Sequence, residues 1–104
     1  IVVGDSYKII PANGVYAVRV IFPNETEKAE VFGMCNIGIR PTFGGKFQTI
    51  EVHLFDFEED LYGQQLEIRF VHSLRKEMKL DGPETLKNQL SKDEKTARRL
   101  LGIL

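Results

Sequence analysis

The hydrophobic pattern of this chain changes its period once, and that change limits the possible folds more than any other feature. Before residue 75, apolar and polar residues alternate in short runs rich in β-branched and aromatic side chains, as in strands. After residue 80 the apolar residues recur three or four positions apart, as on one face of a helix. The pattern predicts a mainly β domain with helices at its C-terminal end.

Four strands are predicted, separated by short segments that contain Gly, Pro or clustered acids. They cover residues 14–22, 28–39, 47–56 and 66–74. Strands this close in sequence favour an antiparallel barrel or sandwich. Arg40–Lys46 contains Pro41, Gly44 and Gly45, and it is predicted to be a loop.

Two helices are predicted after the last strand. Gly82-Pro83-Glu84 places a proline and an acid where a first helical turn favours them. Ser91–Glu94 matches the capping-box pattern, which predicts that a second helix begins there. The second helix has an apolar stripe made of Ala97, Leu100, Leu101 and Leu104. We expect both helices to pack against the open side of the barrel, because such stripes usually contribute to a core.

Size and charge narrow the function classes. The 104 residues fit one domain, 1–104, and the formal net charge of -1 argues against a surface that binds nucleic acid. The single cysteine, Cys35, cannot form an internal disulfide, which favours a reducing, cytoplasmic setting. No apolar run approaches the ~20 residues of a membrane span, so we expect no membrane partner.

One carboxylate stands out in the third predicted strand. Alternation gives this strand one face with Thr49, Glu51, His53 and Phe55, and another with Ile50, Val52, Leu54 and Asp56. Glu51 is either a surface acid that pairs with a neighbour such as Arg69 or a catalytic carboxylate. The residues alone favour the surface acid. His53, His72 and Cys35 lack the spacing of a metal cluster, and no site residue is predicted to bind metal.

Four motifs in order along the chain resemble riboflavin kinase, and more closely the kinase half of bacterial bifunctional FAD synthetases. The motifs are Asn36–Gly45, Ile50–Phe57, Asp60–Gly63 and Phe70–Asp81. This resemblance implies a six-stranded antiparallel Greek-key barrel with a C-terminal helix or helix pair. It also implies transfer of the ATP γ-phosphate to the 5′-hydroxyl of riboflavin, giving FMN and ADP.

The resemblance also implies roles for individual residues. Glu51 matches the family's catalytic acid, which would orient the hydroxyl and accept its proton. The nucleotide-binding residues would be Leu61, Tyr62 and Gly63. Arg75 and Glu77 match a loop that closes over the flavin. Asn36 and Arg40 are expected to organise the loop predicted at residues 40–46.

One motif of the family is absent. The family has a Gly-x-Pro-Thr-Ala-Asn stretch, whose Thr and Asn hold magnesium and the phosphates of ATP, where this chain runs from Gly4 to Asp5. We expect either that a segment with the Mg²⁺ ligands is left out between these two residues or that the motif is truly deleted. A deletion would leave a non-catalytic barrel that binds flavin or a protein partner. The resemblance further implies that the parent chain carries an FMN adenylyltransferase domain upstream.

Overall fold

Two inner strands, each with hydrogen-bonded neighbours on both sides, organise the sheet. The computed structural model describes residues 11–23, 30–57 and 65–103. These ranges contain β1 (Gly14–Ile21), β2 (Val31–Thr42), β3 (Gly45–Leu54), β4 (Glu67–Lys76) and α1 (Pro83–Leu101). The strands form one antiparallel sheet in the order β3-β2-β1-β4. The mainly β architecture and the four predicted strands are confirmed, with shifted ends.

The loop predicted for Arg40–Lys46 was wrong, because β2 and β3 continue through it as a hairpin. Their pairing reaches Thr42 opposite Gly45, which leaves a two-residue turn. Gly44, the second residue of this turn, has φ 87°, a conformation that glycine adopts without strain and that a type II turn has at this position. Pro41 is tolerated because the pairing of β2 with β1 ends at Ile37, and a proline at an edge costs no ladder hydrogen bond.

One face of the sheet, here called the core face, is closed and apolar. Its buried residues are Val18, Val20, Phe22, Val31, Cys35, Ile37, Ile50 and Val52. Tyr16, Leu54, Phe57, Leu66 and Ile68 pack around them. The buried set alternates along each strand, as the period of two in the sequence requires.

The opposite face, here called the helix face, packs against α1. Ala17, Met34 and Phe55 form a second buried cluster with Ala97 of the helix. Phe32, Leu74, Leu90, Leu101 and Ile103 surround this cluster. The expected packing of C-terminal helical structure on the sheet is therefore present, but it involves a single helix.

The second helix predicted at Ser91 was wrong, because α1 runs unbroken from Pro83 to Leu101. Leu90, Ala97 and Leu101 lie on the side that packs on the sheet, so the apolar stripe continues through the predicted boundary. Leu100, also expected in the stripe, is 42% exposed. The helix ends at Gly102, whose φ of 74° is the left-handed cap conformation.

Within the described ranges, no helix is long and apolar enough to cross a membrane.

Candidate active site

A cleft of about 630 Å³ lies between the helix face of the sheet and α1. The walls combine apolar side chains with a few polar and charged groups, as ligand sites usually do. The lining residues are Val15, Met34, Asn36, Arg40, Glu51, Val52, His53, Leu86, Leu90, Ser91 and Glu94.

Glu51 lies in this cleft, on the helix face of β3 and directly opposite Asn36 of β2. Its side chain is about half exposed, at 49%. Among the described residues, the nearest cation is Arg40, whose Nη2 lies 3.9 Å from Glu51 Oε1. Arg69, the example of a surface partner that the sequence suggested, is not beside Glu51, because it bonds Glu67 at 3.2 Å on β4, at the other end of the strand order.

Gly38 provides the space in which two charged side chains approach each other beside Glu51. A Cβ at Gly38 would lie 2.6 Å from Glu77 Oε1 and 3.2 Å from Arg40 Nη1. The Glu77 carboxylate also accepts a long hydrogen bond, 3.4 Å, from the Ile39 amide. The structure therefore brings the sequence-predicted residues Glu51 and Glu77 to the two sides of Arg40.

Arg75, predicted to bind flavin, is bonded to α1 in this structure. Its Nε lies 3.0 Å from Asp93 Oδ1, and its Nη2 lies 2.8 Å from Asp93 Oδ2. Gln89 donates a further hydrogen bond of 3.0 Å to the same carboxylate. Asp93 is the one buried charged residue among those described. This two-pronged ion pair, here called the Arg75–Asp93 clamp, fixes the helix against the end of β4.

A second set of ionic contacts holds the other half of α1. Arg98 donates 2.9 Å and 3.0 Å hydrogen bonds to Asp56, and another of 2.9 Å to Glu94. The hydrogen bonds from Arg98 lower the pKa of Asp56, and both carboxylates raise the pKa of Arg98. The prediction that Asp56 lies on the same face of the strand as Ile50 was wrong. β3 ends at Leu54, and Asp56, with φ 55°, turns towards α1.

His53 and Glu94 span the cleft between β3 and α1. His53 Nε2 lies 4.0 Å from Glu94 Oε1, and both residues line the cleft with Glu51. Cys35, by contrast, lies on the core face, where burial raises the pKa of its thiol to about 12. A thiol with that pKa stays protonated at neutral pH, so Cys35 is not a nucleophile of this site.

Several sequence predictions lie outside the described residues. They are the nucleotide-binding role of Leu61, Tyr62 and Gly63, and the segment expected between Gly4 and Asp5. In the described part of the chain, no group of three or more His, Cys, Asp or Glu side chains is arranged to hold a metal ion. These residues alone do not form a magnesium site.

Sequence reasoning missed the contribution of α1 to the cleft. Leu86, Leu90, Ser91 and Glu94 line it, and Asp93 anchors it. The error came from reading Ser91 as the start of a new helix. The spacing of Leu86, Leu90, Ala97 and Leu101 was the available signal, since it fits one continuous helix.

Comparison with known proteins gives a family match over nearly the whole chain. The sequence model of the riboflavin kinase family, Flavokinase, matches residues 2–101. The matched range includes β1 to β4 and α1, and therefore every described residue of the cleft.

Two curated relatives are described as bifunctional riboflavin kinase/FMN adenylyltransferase. The protein of Haemophilus influenzae is 44% identical over 92 residues, which cover 88% of this chain and 29% of the relative. The protein of Bacillus subtilis is 39% identical over 103 residues, which cover 96% of this chain and 31% of the relative. The chain thus spans less than a third of the length of either relative.

A solved structure shares the fold. It is described as a macrolide-efflux protein from Streptococcus pneumoniae, and it superposes with a TM-score of 0.72 at 32% sequence identity. The match covers 86% of this chain and 28% of that one.

Proposed function

The chain belongs to the riboflavin kinase family, and on this premise we propose that it transfers the γ-phosphate of ATP to the 5′-hydroxyl of riboflavin. The products are FMN and ADP. The observation that carries the proposal is the position of Glu51, a half-exposed carboxylate inside a cleft with apolar walls.

The cleft suits a flavin, which combines a flat apolar ring system with a polar hydroxylated chain. Val15, Met34 and Leu90 offer an apolar surface to the ring, and Asn36 and Ser91 offer hydrogen-bonding groups. Glu51 offers a polar group to the hydroxylated chain of the flavin. Its contact with Arg40, at 3.9 Å, is longer than that of a tight ion pair. Its carboxylate is therefore available to a substrate hydroxyl.

Glu51 would act as the base that orients the hydroxyl and takes its proton. The 5′-oxygen forms a bond to the γ-phosphorus, and the bond from that phosphorus to the bridging oxygen of ADP breaks. The electron pair of the broken bond leaves with ADP, and the hydroxyl proton goes to the Glu51 carboxylate. Phosphoryl transfer depends mainly on positioning and on neutralising charge, so a correctly placed carboxylate is a sufficient base.

The finer features of the family extend the proposal beyond the described residues. We propose that the sheet forms part of a six-stranded Greek-key barrel, and that Leu61, Tyr62 and Gly63 lie by the nucleotide. Mg²⁺ would be held by the family's Thr and Asn motif, whose expected position at Gly4 lies outside the described residues. Glu77, which lies next to Arg40 over Gly38, would contact the flavin. Arg75 would also contact the flavin while it stays in the Arg75–Asp93 clamp.

The parent protein would carry a second activity. Both curated relatives named above are bifunctional, and this chain covers less than a third of each. We propose that an FMN adenylyltransferase domain lies upstream and converts the FMN made here into FAD. A cytoplasmic location fits the use of ATP and a lone, buried thiol at Cys35.

A second candidate function is a barrel that binds flavin or a protein partner without phosphorylating it. The observation in its favour is the direct sequence from Gly4 to Asp5, without the Gly-x-Pro-Thr-Ala-Asn motif. Under this alternative the cleft binds riboflavin, but no FMN is formed.

The test is FMN formation from riboflavin, ATP and Mg²⁺ by the intact parent protein. Glu51→Gln should lower turnover by about 10²–10⁴-fold, the usual contribution of a general base. Glu67→Gln is a matched control, because Glu67 is an exposed acid on β4 that bonds only Arg69 among the described contacts. Near-normal turnover by Glu51→Gln would contradict the proposal. Flavin binding without FMN formation by the unmodified protein would favour the second candidate.

A further inference from the structure

Arg40 holds a guanidinium beside Glu51, and most of its donors are uncommitted in the part of the chain that the structure describes. Its Nη2 stops 3.9 Å from Glu51 Oε1, beyond hydrogen-bond distance. Its Nη1 reaches the carbonyl oxygen of Ile39 only at 3.4 Å. A guanidinium has five N–H donors, and this side chain is 44% exposed at the cleft. Arg40 is thus placed to bind an anion that enters beside Glu51.

The charge of the cleft favours such a cation beside a phosphate donor. Glu51 and Glu94 both line the cleft, and Glu77 lies over Gly38 next to Arg40. Like charges repel, so carboxylates alone would oppose an approaching phosphate. Among the described lining residues, Arg40 is the one Arg or Lys.

We propose that Arg40 is a catalytic residue that binds the phosphoryl group during its transfer to the flavin. The inference rests on the proposed kinase function. The phosphorus must approach the same 5′-oxygen whose proton Glu51 accepts, so the phosphoryl oxygens come within reach of the Arg40 guanidinium. The planar fork of arginine matches two phosphate oxygens, and the group gives up no proton in the step.

Because Gly38 has no side chain, the Arg40 guanidinium has room to turn from its present contacts towards a phosphate. The guanidinium lies across the position of the missing side chain, 3.2 Å from where a Cβ would be. When the side chain turns to a phosphate it gives up only its long contacts to Glu51 and Ile39, so little binding energy is lost. The sequence-based expectation that Arg40 organises a loop does not fit its place within β2.

The binding of two flavins separates this role from a structural one. FMN carries the transferred phosphate and riboflavin does not, while their ring systems are the same. Arg40→Ala should weaken FMN binding by about 10- to 100-fold, as expected for loss of hydrogen bonds to a charged group, and leave riboflavin binding unchanged. Titration of radiolabelled riboflavin into the parent protein measures its affinity for the cleft, and displacement of that bound riboflavin by FMN measures the FMN affinity at the same cleft, apart from the adenylyltransferase domain.

Two further variants complete the experiment. Arg40→Lys keeps the charge and loses the fork, so it should restore part of the FMN affinity. Arg69→Ala removes an exposed arginine that bonds Glu67 on β4, and it should leave both affinities unchanged. Melting temperatures of all variants should match that of the unmodified protein.

The outcomes distinguish this proposal from the one on which it rests. If the unmodified protein binds neither flavin, the proposed function fails, and the Arg40 role fails with it. If it binds both flavins and Arg40→Ala weakens them equally, or weakens neither, the Arg40 role alone is overturned. Selective loss of FMN affinity, together with a lower kcat and an unchanged KM for riboflavin, supports it.

Discussion

The two faces of the sheet differ in composition although the same strands form both. On β2 and β3, the core face has Cys35, Ile37, Ile50 and Val52, all buried and without a charge. The residues that alternate with them along the same strands, Asn36, Glu51 and His53, lie on the helix face and line the cleft. The alternation of a strand thus lets one segment stabilise the fold on one side and bind a ligand on the other.

The largest effect on stability should come from the clamp that holds α1 to the helix face. Asp93→Ala should lower the free energy of unfolding by about 3–5 kcal/mol, because it leaves the mostly buried Arg75 without its partner. Chemical denaturation measures this change. Asp81→Ala, at an exposed acid just before α1, should alter stability little. Equal effects of the two substitutions would show that the clamp does not hold the helix.

Two glycines of β2 compare the faces directly. Gly33→Ala should cost about 1–3 kcal/mol, since the new Cβ would overlap the backbone oxygen of His53. Gly38→Ala meets only the flexible ends of Glu77 and Arg40, so it should change stability less and lower FMN formation more. Thermal melts and kinase assays of both variants test the contrast. The contrast between the faces is contradicted if Gly38→Ala lowers the melting temperature as much as Gly33→Ala does.

Cys35 reports on the closure of the core face. Burial raises the pKa of its thiol from about 9 to about 12, so its contribution to stability is complete below pH 9 and is lost as the pH rises towards 12. Stability measured from pH 8 to pH 11 should therefore fall less in Cys35→Ala than in the unmodified protein. The thiol should also react slowly with alkylating agents until the protein unfolds. Fast alkylation of the folded protein would contradict a closed core face.

The smallest effect should arise from the exposed ion pair at the far end of α1. The pKa of Asp56 is lowered by its hydrogen bonds to Arg98, so its contribution to stability is present above the usual aspartate pKa and is lost as the pH falls through the lowered value. Asp56→Asn should remove this part of the acid sensitivity below about pH 4. Melting temperatures of the two proteins from pH 2 to pH 6 should converge at the acid end. A constant difference across this range would exclude the ion pair as the cause.

The sequence predicted the strands well because alternation is a local signal. The face of Glu51 follows directly from Ile50 and Val52 on either side of it. Patterns that depend on long-range packing were harder to read. Ser91–Glu94 matches a helix start, but Asp93 is instead held inside α1 by Arg75, 18 positions earlier. Gly44 and Gly45 indicated a break, and only the pairing of Thr42 with Gly45 shows how short it is.

Ion-pair partners were also beyond the reach of the sequence. The sequence suggested Arg69 as a neighbour of Glu51, whereas the structure places Arg40 there, because β2 is next to β3 and β4 is not. Arg75 shows the same limit. Its motif resembles a flavin-closing loop, but the contact seen is with α1.

The most direct test of the division between the two faces is a riboflavin titration of the methyl-labelled protein, followed by NMR. The methyl groups of Met34, Leu86 and Leu90 line the cleft, whereas those of Val20 and Ile37 lie on the core face. We predict shifts of the first group that saturate with riboflavin, and unchanged signals from the second. Saturable shifts confined to Val20 and Ile37 would contradict the assignment of the cleft as the flavin site.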